Sequence, residues 1–383
     1  MSAYRIPLRG ERFHALSGFR FLLAAQILVF HFAPAPKGPV WLARVLAGGF
    51  VATSALFVLS GFVLARAYPE PLSRPERTQF WVARLARVYP AYLLAWMICL
   101  AGFVARASTL SGSEVAERVT AAVLSLAFVQ AWVPPLATEW NNAGWATSAV
   151  VFFYVVFPFA MSRLARASNR SLVACAVAFW LAGLLAPASA LAVRPEAAAL
   201  SPASDGFVTD ILKYDPLLRV PEFLFGCAIG LLHRRGALRG GGLLACVGLV
   251  LLYLPLVVGG VPYLLLHNGL LAPAIALVVI GLASGAGLLP RALSIRPLVA
   301  LGEAGFAMYV LQFPLHGMGD RLAAWAHYDA GSSVAFGVFA IVTIAIAFMA
   351  SQWFEVPMRQ ALRRAWGLRP GDAPGGSHAA AAS

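Results

Sequence analysis

"LSGFRFLLAAQILVFHF", residues 16–32, is an apolar run with the length of a membrane span, yet it carries Arg20 near one end and His31 near the other. About 20 apolar residues of helix cross a bilayer core. Comparable runs follow at 47–66, 89–107, 145–163, 171–193, 220–233, 241–261, 269–289, 299–318 and 332–353. The sequence therefore predicts an all-α, polytopic membrane bundle of about ten transmembrane helices.

Composition agrees. Of the 383 residues, 60% are hydrophobic and only 12% charged, a balance outside that of soluble domains. The net charge of +13 could suit nucleic acid, but the basic residues punctuate apolar segments instead of forming an aromatic-laced patch, which argues against nucleic acid as a partner. The bilayer itself is the expected partner. Lys and Arg accumulate on the cytoplasmic side of membrane proteins. With the N-terminus inside, twenty of the 29 basic residues fall in inner segments and eight in outer ones, so both termini are expected in the cytoplasm. The same rule makes "TAAVLSLAFVQAWVP" (120–134) a re-entrant or surface helix, because a crossing there would send Arg163, Arg166 and Arg170 outside.

Three parts are expected: a basic cytoplasmic N-terminus (1–15), a transmembrane domain (16–364) and a small, polar, disordered cytoplasmic tail (365–383). The basic start precedes a retained first span, not a cleaved signal peptide. The four cysteines lie in apolar stretches without CxxC spacing, so neither a disulfide framework nor a metal site is expected.

Several ionisable residues are not explained by topology alone. Arg20 and His31 are 11 residues apart, which places them within about 20° on one helix face and about 16 Å apart along it. Charges exposed to lipid cost several kcal/mol, so a shared polar interior is one reading. Arg20 snorkelling to the inner interface, with His31 at the outer one, is the other. In "RLARVYPAYLL", Arg84 and Arg87 stand at i and i+3 on the approach to the third span, with Pro90 near the expected helix start. Two guanidinium groups on one face can grip phosphates, or they can simply anchor the inner loop. "RVPEFLFG" sets Arg219 and Glu222 three apart at an outer helix mouth, either as a local ion pair or as substrate contacts. Glu303 suits a helix N-terminus, and Glu355 a pairing with neighbouring arginines. Buried charges in a ten-helix bundle also suit a transporter or flippase for a lipid-linked sugar.

Taken in order, these segments resemble the acyltransferase 3 family. The resemblance runs from residue 16 to about 364, through "LSGFRFLLAAQILVFHF", "ALFVLSGFVLAR", "RLARVYPAYLL", "WATSAVVFFYVVFP", "RVPEFLFGCAIG", "LGEAGFAMYVLQFPL" and "FEVPMRQALRR". It implies an integral enzyme of the bacterial cytoplasmic (inner) membrane that acylates a carbohydrate or other hydroxyl-bearing acceptor on the far side. The donor implied is cytoplasmic acyl-CoA, commonly acetyl-CoA, as co-substrate, with no bound cofactor. On this resemblance His31 is the general base, Arg20 steadies the donor or the developing charge, Arg84 and Arg87 hold donor phosphates, and Trp145, Tyr154 and Glu222 contact substrate. Self-association in the bilayer is left open. Two positions depart from the family pattern: Val150 stands where it carries a glutamate, and Gln312 where it carries a histidine, with His316 one turn further. Those departures also admit a catalytically impaired relative.

Overall fold

The computed structural model describes residues 13–326, 329 and 331–366. The first twelve residues of the expected N-terminal segment, and the tail from residue 367, lie outside them. Among the described residues the regular elements are all helical. In chain order they are α1 (His14–Phe32), α2 (Val40–Ala47), α3 (Phe50–Ala67), α4 (Arg74–Val104), α5 (Gly112–Leu126), α6 (Gly144–Leu164), α7 (Asn169–Val193), α8 (Phe207–Tyr214) and α9 (Pro216–Arg234). Then come α10 (Gly242–Val258), α11 (Tyr263–His267), α12 (Ala272–Ala283), α13 (Leu288–Leu293), α14 (Arg296–Glu303), α15 (Gly305–Trp325), α16 (Ser333–Ala350) and α17 (Val356–Ala365), with a π-helical turn at Ser351–Glu355.

Eight helical stretches of the described residues are long and apolar enough to cross a membrane, or nine if α14 and α15 are one span. With α10, a shorter apolar helix, these account for the ten expected segments. The expected run at 241–261 became α10, whose 17 residues are at the lower limit for a crossing. The expected 299–318 span is also not straight: α14 and α15 meet at a 61° bend. Similarly, the 269–289 run is preceded by α11, and the break at 268–271 separates it from α12.

The third span differs most from expectation. Ser73 caps α4 reciprocally with Glu76, its backbone N–H and hydroxyl lying 2.9 and 2.7 Å from the Glu76 carboxylate, so the helix starts at Arg74 instead of 89. Pro90 is consequently inside the helix, not near its start. At 31 residues α4 is about 46 Å long, more than a hydrocarbon core, and its early turns carry Arg84 and Arg87 beyond the apolar stretch. Segment 120–134 forms no span: α5 ends at Leu126, and two short 3₁₀ turns lead back to α6.

Glycines bring helices into backbone contact. Gly61 of α3 faces the backbone of Phe223, and Gly226 and Gly230 of α9 face Val58 and Phe62, so a Cβ at any of them would collide with main chain. That holds α3 against α9 at the centre. Likewise Gly18 of α1 faces the backbone of Leu293 in α13, and Gly302 of α14 faces that of Ser17 in α1, which sets the α14–α15 bend beside Arg20. At the same end, Arg235 donates to the carbonyls of Ala165 and Ala167 at 2.7 and 2.6 Å, closing the end of α6. Basic residues expected only to fix topology also cap helices.

Candidate active site

A cavity of about 380 Å³ opens beside the bend, walled by α1, α3, α4, α6 and the start of α15. Its polar lining comes from Arg20, Arg84, Arg87, Tyr154, Tyr309, Thr53, Thr147 and Ser60. No carboxylate lines it among the described residues. Val150 is in the wall, so the position where the family pattern carries a glutamate contributes only methyl groups here.

The three arginines are held differently. Arg84 donates to the Tyr68 hydroxyl at 3.3 Å, and its guanidinium stands 5.8 Å from the ring centres of Tyr68 and Phe80. Its Nε is buried without an acceptor. Arg87 pairs with the buried Glu355 and donates to the Glu303 carbonyl at 3.0 Å. Arg359 approaches the same Glu355 at 3.9 Å, so the expected pairing of this acid with neighbouring arginines holds, with Arg87 added from a distant helix. Arg20 makes no hydrogen bond or ion pair among the described residues. Its charge is repelled by Arg84 and attracted by Glu303 at the end of α14. Tyr154, whose carbonyl accepts from Trp81 Nε1 at 2.9 Å, lies within the field of all three arginines.

The bend adds a further cationic feature. Gly305 and Phe306, at the start of α15, line the cavity, and the first N–H groups of a helix have no intrahelical acceptor. A helix start and the Arg20 and Arg84 guanidinium groups, with the Glu355-bound Arg87 in the wall, surround a space that no described carboxylate lines, an arrangement suited to an anion.

His31 is elsewhere. The two residues do share a face of α1, but the cavity ends at Ala24 and Tyr309, and buried Leu28 fills the turn between. The His31 ring is exposed and packs in an aromatic group, with centroids 4.6 Å from Phe30 and 4.7 Å from Phe313. His316, one turn along α15, pairs with Asp320 at 3.0 Å and stacks on Phe32 at 4.3 Å. Gln312 is buried and donates back to the Tyr309 carbonyl at 3.1 Å.

Glu222 and Trp145 belong to a third setting. Arg219, fully buried, pairs with Glu222 at 3.1 Å and donates to Ser54 Oγ at 3.1 Å, Asn268 Oδ1 at 3.2 Å and the His267 carbonyl. Its guanidinium also stands 5.3 Å from the Phe57 ring centre and 5.9 Å from that of Trp145. The carbonyl at His267 is left over where α11 stops, and Arg219 satisfies it. The pair is thus no exposed helix-mouth contact but a stitch joining α3, α9 and the α11–α12 break.

Residues 13–352 match the family described as "Acyltransferase domain", the acyltransferase 3 family. The chain belongs to it. This is therefore a multi-pass membrane acyltransferase. It is 27% identical over 378 residues to acyltransferase MdmB of Streptomyces mycarofaciens, with 95% of each chain covered. A 96-residue stretch is 38% identical to protein 2 in the picA locus of Rhizobium radiobacter, covering 24% of this chain and 47% of that one. No solved structure matches.

Of the seven site residues expected from sequence, Arg20, Arg84, Arg87 and Tyr154 meet in one cavity, whereas His31, and Trp145 with Glu222, lie outside it. Thr53, Thr147, Phe306 and Tyr309 are additions. Thr53 and Thr147 carried the same signal, a hydroxyl in a strongly apolar helix, and Thr147 is the one whose buried Oγ1 is left without a partner.

Proposed function

We propose that the chain moves an acyl group, acetyl in the simplest case, from cytoplasmic acyl-CoA to a hydroxyl of a carbohydrate or related acceptor outside a bacterial cytoplasmic membrane. The observation that supports this most is the convergence of Arg20, Arg84 and Arg87 on a cavity without a lining carboxylate. Arg20 has every donor available for a phosphate, Arg84 contributes from across the cavity, and Arg87 is anchored by Glu355 to keep the wall in place. Tyr154 adds a neutral donor among them.

The pantetheine arm of the donor is about 15–20 Å long when extended. That range spans the rise of about 16 Å from Arg20 to His31 along α1. A donor gripped at Arg20 thus presents its thioester near the imidazole once Leu28 and its neighbours shift. His31 then takes the proton of the acceptor hydroxyl while the oxygen attacks the carbonyl carbon. The C–O bond forms, the C–S bond breaks, and the imidazolium returns the proton to the leaving thiolate.

Purified protein in nanodiscs, supplied with radiolabelled acetyl-CoA and candidate glycans, tests this reading. Label should move to the acceptor. His31→Ala should abolish transfer while CoA binding persists, and unchanged transfer in that variant removes His31 as base. Movement of a lipid-linked sugar without labelling would instead mark a flippase.

A further inference from the structure

A second and larger cavity, about 790 Å³, lies between the end of α4, the loop before α6, and α15. Its wall includes Phe313, the ring against which His31 packs at 4.7 Å. The imidazole therefore stands one aromatic ring away from this space. Asn141 is committed: Pro314 cannot donate back to the Val310 carbonyl, and Asn141 Nδ2 does so instead at 3.0 Å. What remains for a ligand is mostly donor. Arg106, Arg118 and Arg321, the last also donating to the Gly102 carbonyl at 3.3 Å, line the cavity against Glu139, and Trp140, in the same wall, keeps a buried indole N–H with no acceptor. Among the lining residues three guanidinium groups stand against one carboxylate, Glu139. Guanidinium and indole groups donate and never accept, so a fitting ligand must supply oxygen acceptors with negative charge.

We infer that this cavity is the acceptor site, and that it takes a hydroxyl-bearing acceptor carrying a carboxylate or phosphate. The apolar part of the wall, Leu94, Met97 and Ile98 with Phe313, suits the carbon face of such a molecule. A cationic acceptor such as an amino sugar is disfavoured by the same charges. The inference rests on the acyl-transfer reading above, and it adds the charge and location of the acceptor.

Thermal unfolding of the full chain in detergent, titrated separately with methyl glucuronide, methyl glucoside, methyl glucosaminide, inorganic phosphate and CoA, tests it. The glucuronide should stabilise at a concentration at least tenfold below that of the glucoside, and the glucosaminide should be weakest. Arg106→Gln with Arg118→Gln, neither of which holds another helix, should erase the glucuronide preference and leave the CoA shift intact. Arg20→Ala should do the reverse. Equal sugar shifts, none at all, or a preference surviving in the Arg106/Arg118 variant overturns the inference. Phosphate competing with the glucuronide marks a general oxyanion site, whereas a glucuronide shift unaffected by phosphate marks a carboxylated sugar. A missing CoA shift in the unsubstituted protein counts against the donor reading alone.

Discussion

Arg219 and Arg20 are both arginines set in apolar helices, and their surroundings are opposites. Arg219 is fully buried and satisfied by a carboxylate, a hydroxyl, an amide and a carbonyl. Arg20 touches none of these and faces a cavity. A buried charge must be paired and hydrogen-bonded to be tolerated. An arginine whose partners come from the fold holds the fold, and one left without partners is available to a substrate. Arg87 lies between the two, paired to Glu355 and still at the cavity wall.

The largest effect expected from breaking this contrast is at Arg219. Arg219→Ala leaves Glu222 as an unpaired buried charge, which costs about 3–5 kcal/mol. Unfolding in detergent should shift strongly downward, and activity should fall with the folded fraction. Arg87→Ala should show a mixed outcome, because Glu355 retains only Arg359 at 3.9 Å. Loss of a hydrogen bond to a charged group costs about 1.5–3 kcal/mol. The variant should be measurably less stable and also bind CoA more weakly, whereas Glu355→Gln should recover part of its stability.

Arg20→Ala sharpens the contrast from the other side. Unfolding should be unchanged, while the CoA dissociation constant rises by roughly 10- to 150-fold, the equivalent of one charge-assisted contact. A stability loss without a change in CoA affinity would place Arg20 with Arg219. The smallest effect is expected at Val150→Glu. A carboxylate in that wall offsets one guanidinium charge and should weaken CoA binding several-fold, read most clearly at low salt.

Much of the architecture was legible in the chain, because a long apolar helix identifies itself by composition alone. Each of the ten expected segments holds a helix. The errors were of local geometry. Ser73 and Glu76 form a cap that moved the start of α4 by fifteen residues, and the bend between α14 and α15 is invisible in a hydropathy profile, which reports burial and not direction. The cavity arginines were legible as a group by spacing, whereas Tyr309 and Thr147 reach the cavity only because α6 and α15 are brought beside α1.

From its sequence this protein was determined to be an all-α membrane bundle, with a guanidinium and an imidazole on one face of its first helix. The period of the α-helix and the cost of placing charge in lipid suffice for that. Tertiary structure alone decided which arginines are free. Arg219 meets Ser54 across 165 residues, and Arg87 meets the Glu303 carbonyl across 216, so their pairing depends on how helices pack and not on any neighbouring letter. The same packing ended the cavity at Ala24, leaving His31 on the outer side of Leu28 though both ends of α1 had suggested one chamber.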